Sequence, residues 1–150
     1  MTTDSATEYL GPTRFNHVAM SMPADALDQQ GRDDICAFYG DVFGWEEFPT
    51  MTEDRRRLVM GVHSYDQFVF LIANDEPMRT DPMDHFGMSV ESAEALEATL
   101  ERARRWAADD DRVRIVGPQV DDHEVLKLHA FYVGFLLPLM VEVQYFEWAT

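Results

Sequence analysis

The chain has 150 residues, with 28 acidic against 12 basic, a formal net charge of -16 and 46% apolar residues, among them 10 Phe, 5 Tyr and 3 Trp. That length predicts one domain, and so much apolar and aromatic surface predicts a packed core rather than a disordered acidic tail. A surface this negative repels phosphate backbones and anionic headgroups, so neither nucleic acid nor a membrane is an expected partner.

In chain order, residues 1–13 are polar and acidic with no apolar core of the kind a signal peptide needs, and they read as a flexible tail before a single domain over 14–150. Apolar alternation over 15–22 predicts a strand, and the stripe Ile35, Phe38, Tyr39 and Val42 predicts a helix over 33–43 that Gly44 stops. Strand-like segments follow at 45–50, 56–63 and 68–73, then a polar link with two prolines over 74–84. The plan then repeats: a strand at 85–90, a helix at 93–108 capped by Ser92 and striped by Leu96, Leu100 and Ala103, and strands at 112–117, 126–136 and 139–146. Each half reads βαβββ, giving modules of about 14–75 and 84–148. Cys36, the single cysteine, sits beside the first helical stripe as a small packed residue and suits a reducing cytoplasm. Sixteen of the acids are Asp and eleven of the bases are Arg, a bias compatible with a GC-rich genome or with high salt.

Strand parity sorts the polar residues, because positions i and i+2 share a face. In the first strand His17, Ala19 and Ser21 oppose Val18, Met20 and Met22; in the fifth, His85, Gly87 and Ser89 oppose Phe86, Met88 and Val90. In the last, Met140, Glu142, Gln144 and Phe146 oppose Leu139, Val141, Val143 and Tyr145. Three strands thus each offer one ligand on the less apolar face: two imidazoles and a carboxylate, the donor set of a non-haem Fe(II) triad.

Two βαβββ halves, with Phe15-Asn16-His17-Val18-Ala19 opening the first, Phe38-Tyr39-Gly40-Asp41-Val42-Phe43-Gly44-Trp45 closing its helix and His85-Phe86-Gly87-Met88-Ser89-Val90 opening the second, resemble the vicinal oxygen chelate superfamily. The resemblance covers residues 14–148 and implies an α+β fold in which two βαβββ modules form one curved mixed sheet around a metal-binding cavity, with the helices outside. It places His17, His85 and Glu142 on the ligand positions of the first, fifth and last strands. Residues 68–73 offer no fourth ligand, since their side chains are apolar.

The stretch ending in Glu142 further resembles the type I extradiol ring-cleavage dioxygenases, through His123, Phe131-Tyr132, Pro138 and Glu142. Phe135 and Leu136 stand where that pattern has a polar residue and a proline, and Asp121 stands two before the histidine. What this resemblance implies is an Fe(II) enzyme on which a catechol chelates through both oxygens while O2 takes an open position. His63, by its place between the two ligand histidines in the chain, is the candidate to move the catechol proton; His123 would be a supporting partner outside the ligand set, and Tyr132 would donate a hydrogen bond to a substrate oxygen. His129 is a contender for the same work, but alternation sets it on the face opposite Tyr132 unless a bulge near Gly134 intervenes. Met140, Phe146 and Phe70 are expected to line an apolar pocket, and Arg55, Arg56 and Arg57, after Glu53 and Asp54, read as a solvated turn.

Two other functions use the same scaffold. Glyoxalase-like isomerases, epimerases and lyases hold Mn, Zn, Ni or Co and stabilise an enediolate, whereas drug-sequestering proteins bind small molecules in aromatic grooves without metal. Exposed sheet edges suit a homodimer in each case.

Overall fold

The computed structural model describes residues 11–49 and 55–150. Most of the expected tail, together with Thr50, Glu53 and Asp54, therefore lies outside the described residues. The elements run β1 (His17–Met22), a 3-10 turn (Ala24–Leu27), α1 (Gln29–Phe43), β2 (Glu46–Glu47), β3 (Arg57–Gly61), β4 (Phe68–Ala73), β5 (His85–Ser89), α2 (Ala93–Asp109), β6 (Arg114–Asp122), β7 (Leu126–Gly134) and β8 (Met140–Trp148).

The two βαβββ modules are as expected, and hydrogen bonding gives each its own sheet, in the orders β1-β4-β3-β2 and β5-β8-β7-β6. The registers match: β1 runs parallel to β4 with His17 opposite Phe68, and β5 runs parallel to β8 with His85 opposite Met140. By that register Phe70 occupies in the first sheet the place that Glu142 occupies in the second.

Local chemistry accounts for the boundaries that shifted. α1 begins four residues before the predicted start because Asp28 caps it, Oδ1 accepting from the Gly31 N–H at 2.8 Å. Gly31 is required there, since a Cβ would lie 2.1 Å from the Ala26 carbonyl oxygen. The helix ends as predicted at Gly44, whose φ of 75° is a left-handed C-cap. The strand expected at 45–50 shrinks to two residues: Phe48 N–H still donates to the Val59 carbonyl, but Pro49 has no N–H to continue the ladder. β6 runs past its predicted stop because the chain turns through Gly117, at φ 97°, and resumes pairing after a bulge between Val116 and Gln119. β7 itself pairs with β8 without a break from Leu126 to Val133, so the bulge considered near Gly134 is in β6 instead.

The modules pack through their helix-covered faces. Phe38 and Tyr39 of α1 are fully buried, and the Phe38 ring lies 5.5 Å from Trp106 of α2 and 4.5 Å from Phe135 of the β7–β8 turn. Burying a Phe of this kind contributes about 2–3 kcal/mol. The Tyr39 hydroxyl donates to the Phe135 carbonyl at 2.8 Å, and this completes a polar group that the aromatic packing would otherwise strand. Arg32, only 3% exposed, donates to the Leu27 and Arg57 carbonyls and so fastens the start of α1 to β3. No helix among the described residues is long and apolar enough to cross a membrane.

Candidate metal centre

In each sheet alternate residues turn into the core, and the others form a face that the helices do not cover. On β5 that second face carries His85, Gly87 and Ser89, all exposed, and on β8 it carries Met140, Glu142, Gln144 and Phe146. Tyr132 of β7 stands directly opposite Glu142. The parity read from sequence therefore holds for these three strands, and the cross-strand register brings His85, Glu142 and Tyr132 together.

Their geometry is specific. His85 Nδ1 lies 2.8 Å from the Met83 carbonyl oxygen, and His85 Nε2 lies 3.0 Å from Glu142 Oε2. A carbonyl only accepts, so Nδ1 carries a proton and points it there. In a neutral imidazole Nε2 then presents a lone pair to a carboxylate oxygen, which is repulsive unless a proton or a metal cation lies between them. Gln144 Nε2 donates to the other carboxylate oxygen, Oε1, at 2.9 Å, which fixes the carboxylate plane. Glu142 is 8% exposed, so this carboxylate sits at the floor of the open face, and Gly87, its register partner, places no side chain over it. His85 and Tyr132 meet edge to face with ring centroids 5.0 Å apart. Partial burial, and then the charge of Glu142, raise the Tyr132 hydroxyl above the ordinary phenol range, so it remains a protonated donor.

His17 is on the corresponding face of the first sheet. Its ring stacks on Phe68 at 4.7 Å, and Nδ1 lies 2.6 Å from Asn16 Oδ1, which again turns Nε2 outward as the lone-pair nitrogen. Among the described residues no three His, Cys, Asp or Glu side chains gather closely enough within one chain to hold an ion. One chain thus brings His85 and Glu142 together and holds His17 apart from them. The donor types of His85 and Glu142 are ones that a divalent ion of borderline hardness accepts, and the pair could hold such an ion through two contacts.

The remaining expected residues lie elsewhere. His63 is exposed in the β3–β4 turn of the first module. His123 is exposed at the tip of the β6–β7 hairpin, nine residues from Tyr132 and hence roughly 30 Å along an extended strand. His129 faces away from Tyr132, as alternation requires, and bonds through Nε2 to Glu147 Oε2 at 2.6 Å. Met140 is buried and Phe146 exposed on the open face of the second sheet, whereas Phe70 is half-buried in the first. Three features escaped the sequence reading: the Gln144 brace, the Met83 carbonyl that sets the His85 tautomer, and Arg114 beside Met140. The i+2 spacing of Gln144 from Glu142 was a usable signal; the other two depend on contacts between strands and the linker.

Neither the protein-family models nor the curated proteins give a match to this chain. Solved structures do. A glyoxalase/bleomycin resistance protein/dioxygenase from Alicyclobacillus acidocaldarius is similar at a TM-score of 0.59 and 14% identity, over 92% of this chain and 95% of that one. A glyoxalase/bleomycin resistance protein from Albidiferax ferrireducens T118 is similar at 0.57 and 13%, over 87% and 98%. The genomically encoded fosfomycin resistance protein FosX from Listeria monocytogenes is similar at 0.57 and 13%, over 90% and 94%. At these identities the likeness is one of fold: the chain has the vicinal oxygen chelate fold, spanning nearly the full length of each of these structures.

Proposed function

We propose that the protein is a divalent-metal-dependent enzyme with His17, His85 and Glu142 as its protein ligands, and that it cleaves a catecholic ring with O2 in the extradiol manner on Fe(II). The observation that carries this reading is His85 Nε2 set 3.0 Å from a carboxylate that Gln144 braces, with Nδ1 turned to the Met83 carbonyl, an arrangement that a cation between the two satisfies. Two histidines and one glutamate favour Fe(II) among the available ions. Within this reading His17 comes from a second copy of the chain, because each chain holds its own His17 away from its His85–Glu142 pair while leaving both faces open.

A divalent metal held by these residues would supply Lewis acidity to a bound catechol. The protein's part is positional. His85 is locked by Met83 and Glu142 by Gln144, so both ligands stay aimed without reorganisation. Tyr132, kept protonated, donates to a substrate oxygen next to the ligand pair. His63 and His123, on exposed turns, are given no role.

The test is anaerobic purification with elemental analysis, followed by oxygen uptake with a panel of catechols. Iron at one per chain and catechol-dependent uptake are expected, with both lost in His85→Ala and in Glu142→Ala. Metal without oxygen uptake moves the protein to the isomerase and lyase class, and failure to bind any divalent ion leaves a metal-free binding protein. Co-expression of His17→Ala with Glu142→Ala tests the shared site. Random pairing makes half the dimers hybrid with one intact site of two, so about a quarter of the metal should return; none returns if each site is built within one chain.

A further inference from the structure

Arg114 opens β6 on the same face as Tyr132: it pairs with Gly134 as Val116 pairs with Tyr132. Its guanidinium reaches Met140 Sδ and the Pro82 carbonyl, at the edge of a cavity of about 240 Å³ walled by Pro82, Leu137, Pro138 and Met140. We propose that this cavity receives the carboxylate of the substrate on Arg114, so that the substrate is a small catecholic acid and not a plain catechol. This rests on the metal reading given above for the position of the catechol oxygens.

Charge is the first argument. Arg112, two residues earlier, is bracketed by Asp34 at 3.1 Å and Asp110 at 2.8 Å, and Arg104 lies 3.8 Å from Glu97. Arg114 touches only a carbonyl and a thioether, and among the described residues no carboxylate pairs with it. In a chain of net charge -16, a guanidinium that faces a cavity without a carboxylate partner retains most of its five donors for a ligand. The planar fork matches a carboxylate in two parallel hydrogen bonds.

Placement is the second. The linker turn at Asp81–Asp84 is closed by Asp84 N–H on the Asp81 carbonyl and Asp81 N–H on Asp84 Oδ2. Its two middle carbonyls then diverge: that of Pro82 accepts from Arg114 and that of Met83 from His85. Adjacent peptides therefore fix the anion-binding group and one ligand histidine relative to each other. Along β8, Met140 beneath Arg114 precedes Glu142 by two residues, roughly 7 Å, a span that one substituted aromatic ring bridges. Asp81 also lines the cavity, and its charge repels a dianion such as phosphate more strongly than it repels a single carboxylate.

Isothermal titration under argon, of the protein as purified and after loading with Fe(II), compares benzoate, catechol and 3,4-dihydroxybenzoate on the wild type and on Arg114→Gln. Arg114→Gln should weaken benzoate and 3,4-dihydroxybenzoate by about tenfold or more and leave catechol within about twofold. Equal binding of benzoate by both proteins, or no benzoate binding by the wild type, overturns the proposal. So does a parallel loss of catechol and iron, which would make Arg114 a brace of the linker. If iron fails to bind, the catechol arm falls with the metal reading, and the benzoate arm on the metal-free protein still decides the role of Arg114.

Discussion

Cys36 lies half-buried on α1 with its thiol 3.8 Å from Glu47 Oε2. Burial first, and then the Glu47 carboxylate, push its pKa up from 9.0 to about 11. Only the thiolate attacks a disulfide reagent, so at pH 8 the reactive fraction falls roughly a hundredfold below that of an ordinary thiol. We expect slow labelling of the native protein by a disulfide reagent at pH 8, a rate that climbs with pH towards about 11, and rapid labelling once the chain is denatured; rapid native labelling at pH 8 would refute the assignment. The sign for stability follows: the unfolded thiol ionises first, so the contribution is whole below pH 9 and is lost as pH rises through about 11. Parity alone located His85 and Glu142, because each lies on a regular strand beside its register partner. The roles of His63 and His123 were drawn from chain order and family pattern, which do not measure distance. The Asp34 partner of Arg112 was invisible for a similar reason, since it lies 78 residues away in sequence.

Two tight turns join the last three strands, and each forces a residue with a side chain into positive φ. Glu124 stands at φ 67° with the Val125 N–H donating to the His123 carbonyl at 2.7 Å, and Leu136 stands at φ 59° with the Leu137 N–H donating to the Phe135 carbonyl at 2.7 Å. Left-handed backbone costs an L-residue about 1 kcal/mol or more, and glycine much less. Glu124 is exposed and lies in an acidic hairpin beside Asp121 and Asp122, so Glu124→Gly should stabilise the fold by about 0.5–1 kcal/mol, raising the calorimetric midpoint by about 1–3 °C. A midpoint that stays level or falls would refute the strain. Helix stripes and caps were legible because they recur within a few residues, as with Ser92 and Gly44. Strand ends were not: Pro49, Gly117 and Leu136 act through pairing with distant strands, so β2 came out shorter and β6 longer than periodicity suggested.

At the level of the whole molecule the charge of -16, with a pI near 4.4, sets the chain against itself. Like charges a Debye length apart, about 10 Å at 0.1 M, are relieved as salt rises. The melting midpoint should therefore climb between 0.05 and about 0.5 M chloride, alike for sodium and potassium; a flat or falling curve would mean that exposed pairs such as Arg104–Glu97 outweigh the general repulsion. The strand ladders, unlike the side-chain hydrogen bonds, divide cleanly between the two halves of the chain. Every strand ladder ends within its own half, so the link over 74–84 is severable: cutting it interrupts no ladder. The halves would remain clasped by Tyr39 on Phe135, Phe38 against Trp106 and Arg112 on Asp34. The loose ends would stay tied, with the Met78 N–H donating to Ser21 Oγ on one side and the Thr80 hydroxyl donating to the Pro138 carbonyl on the other.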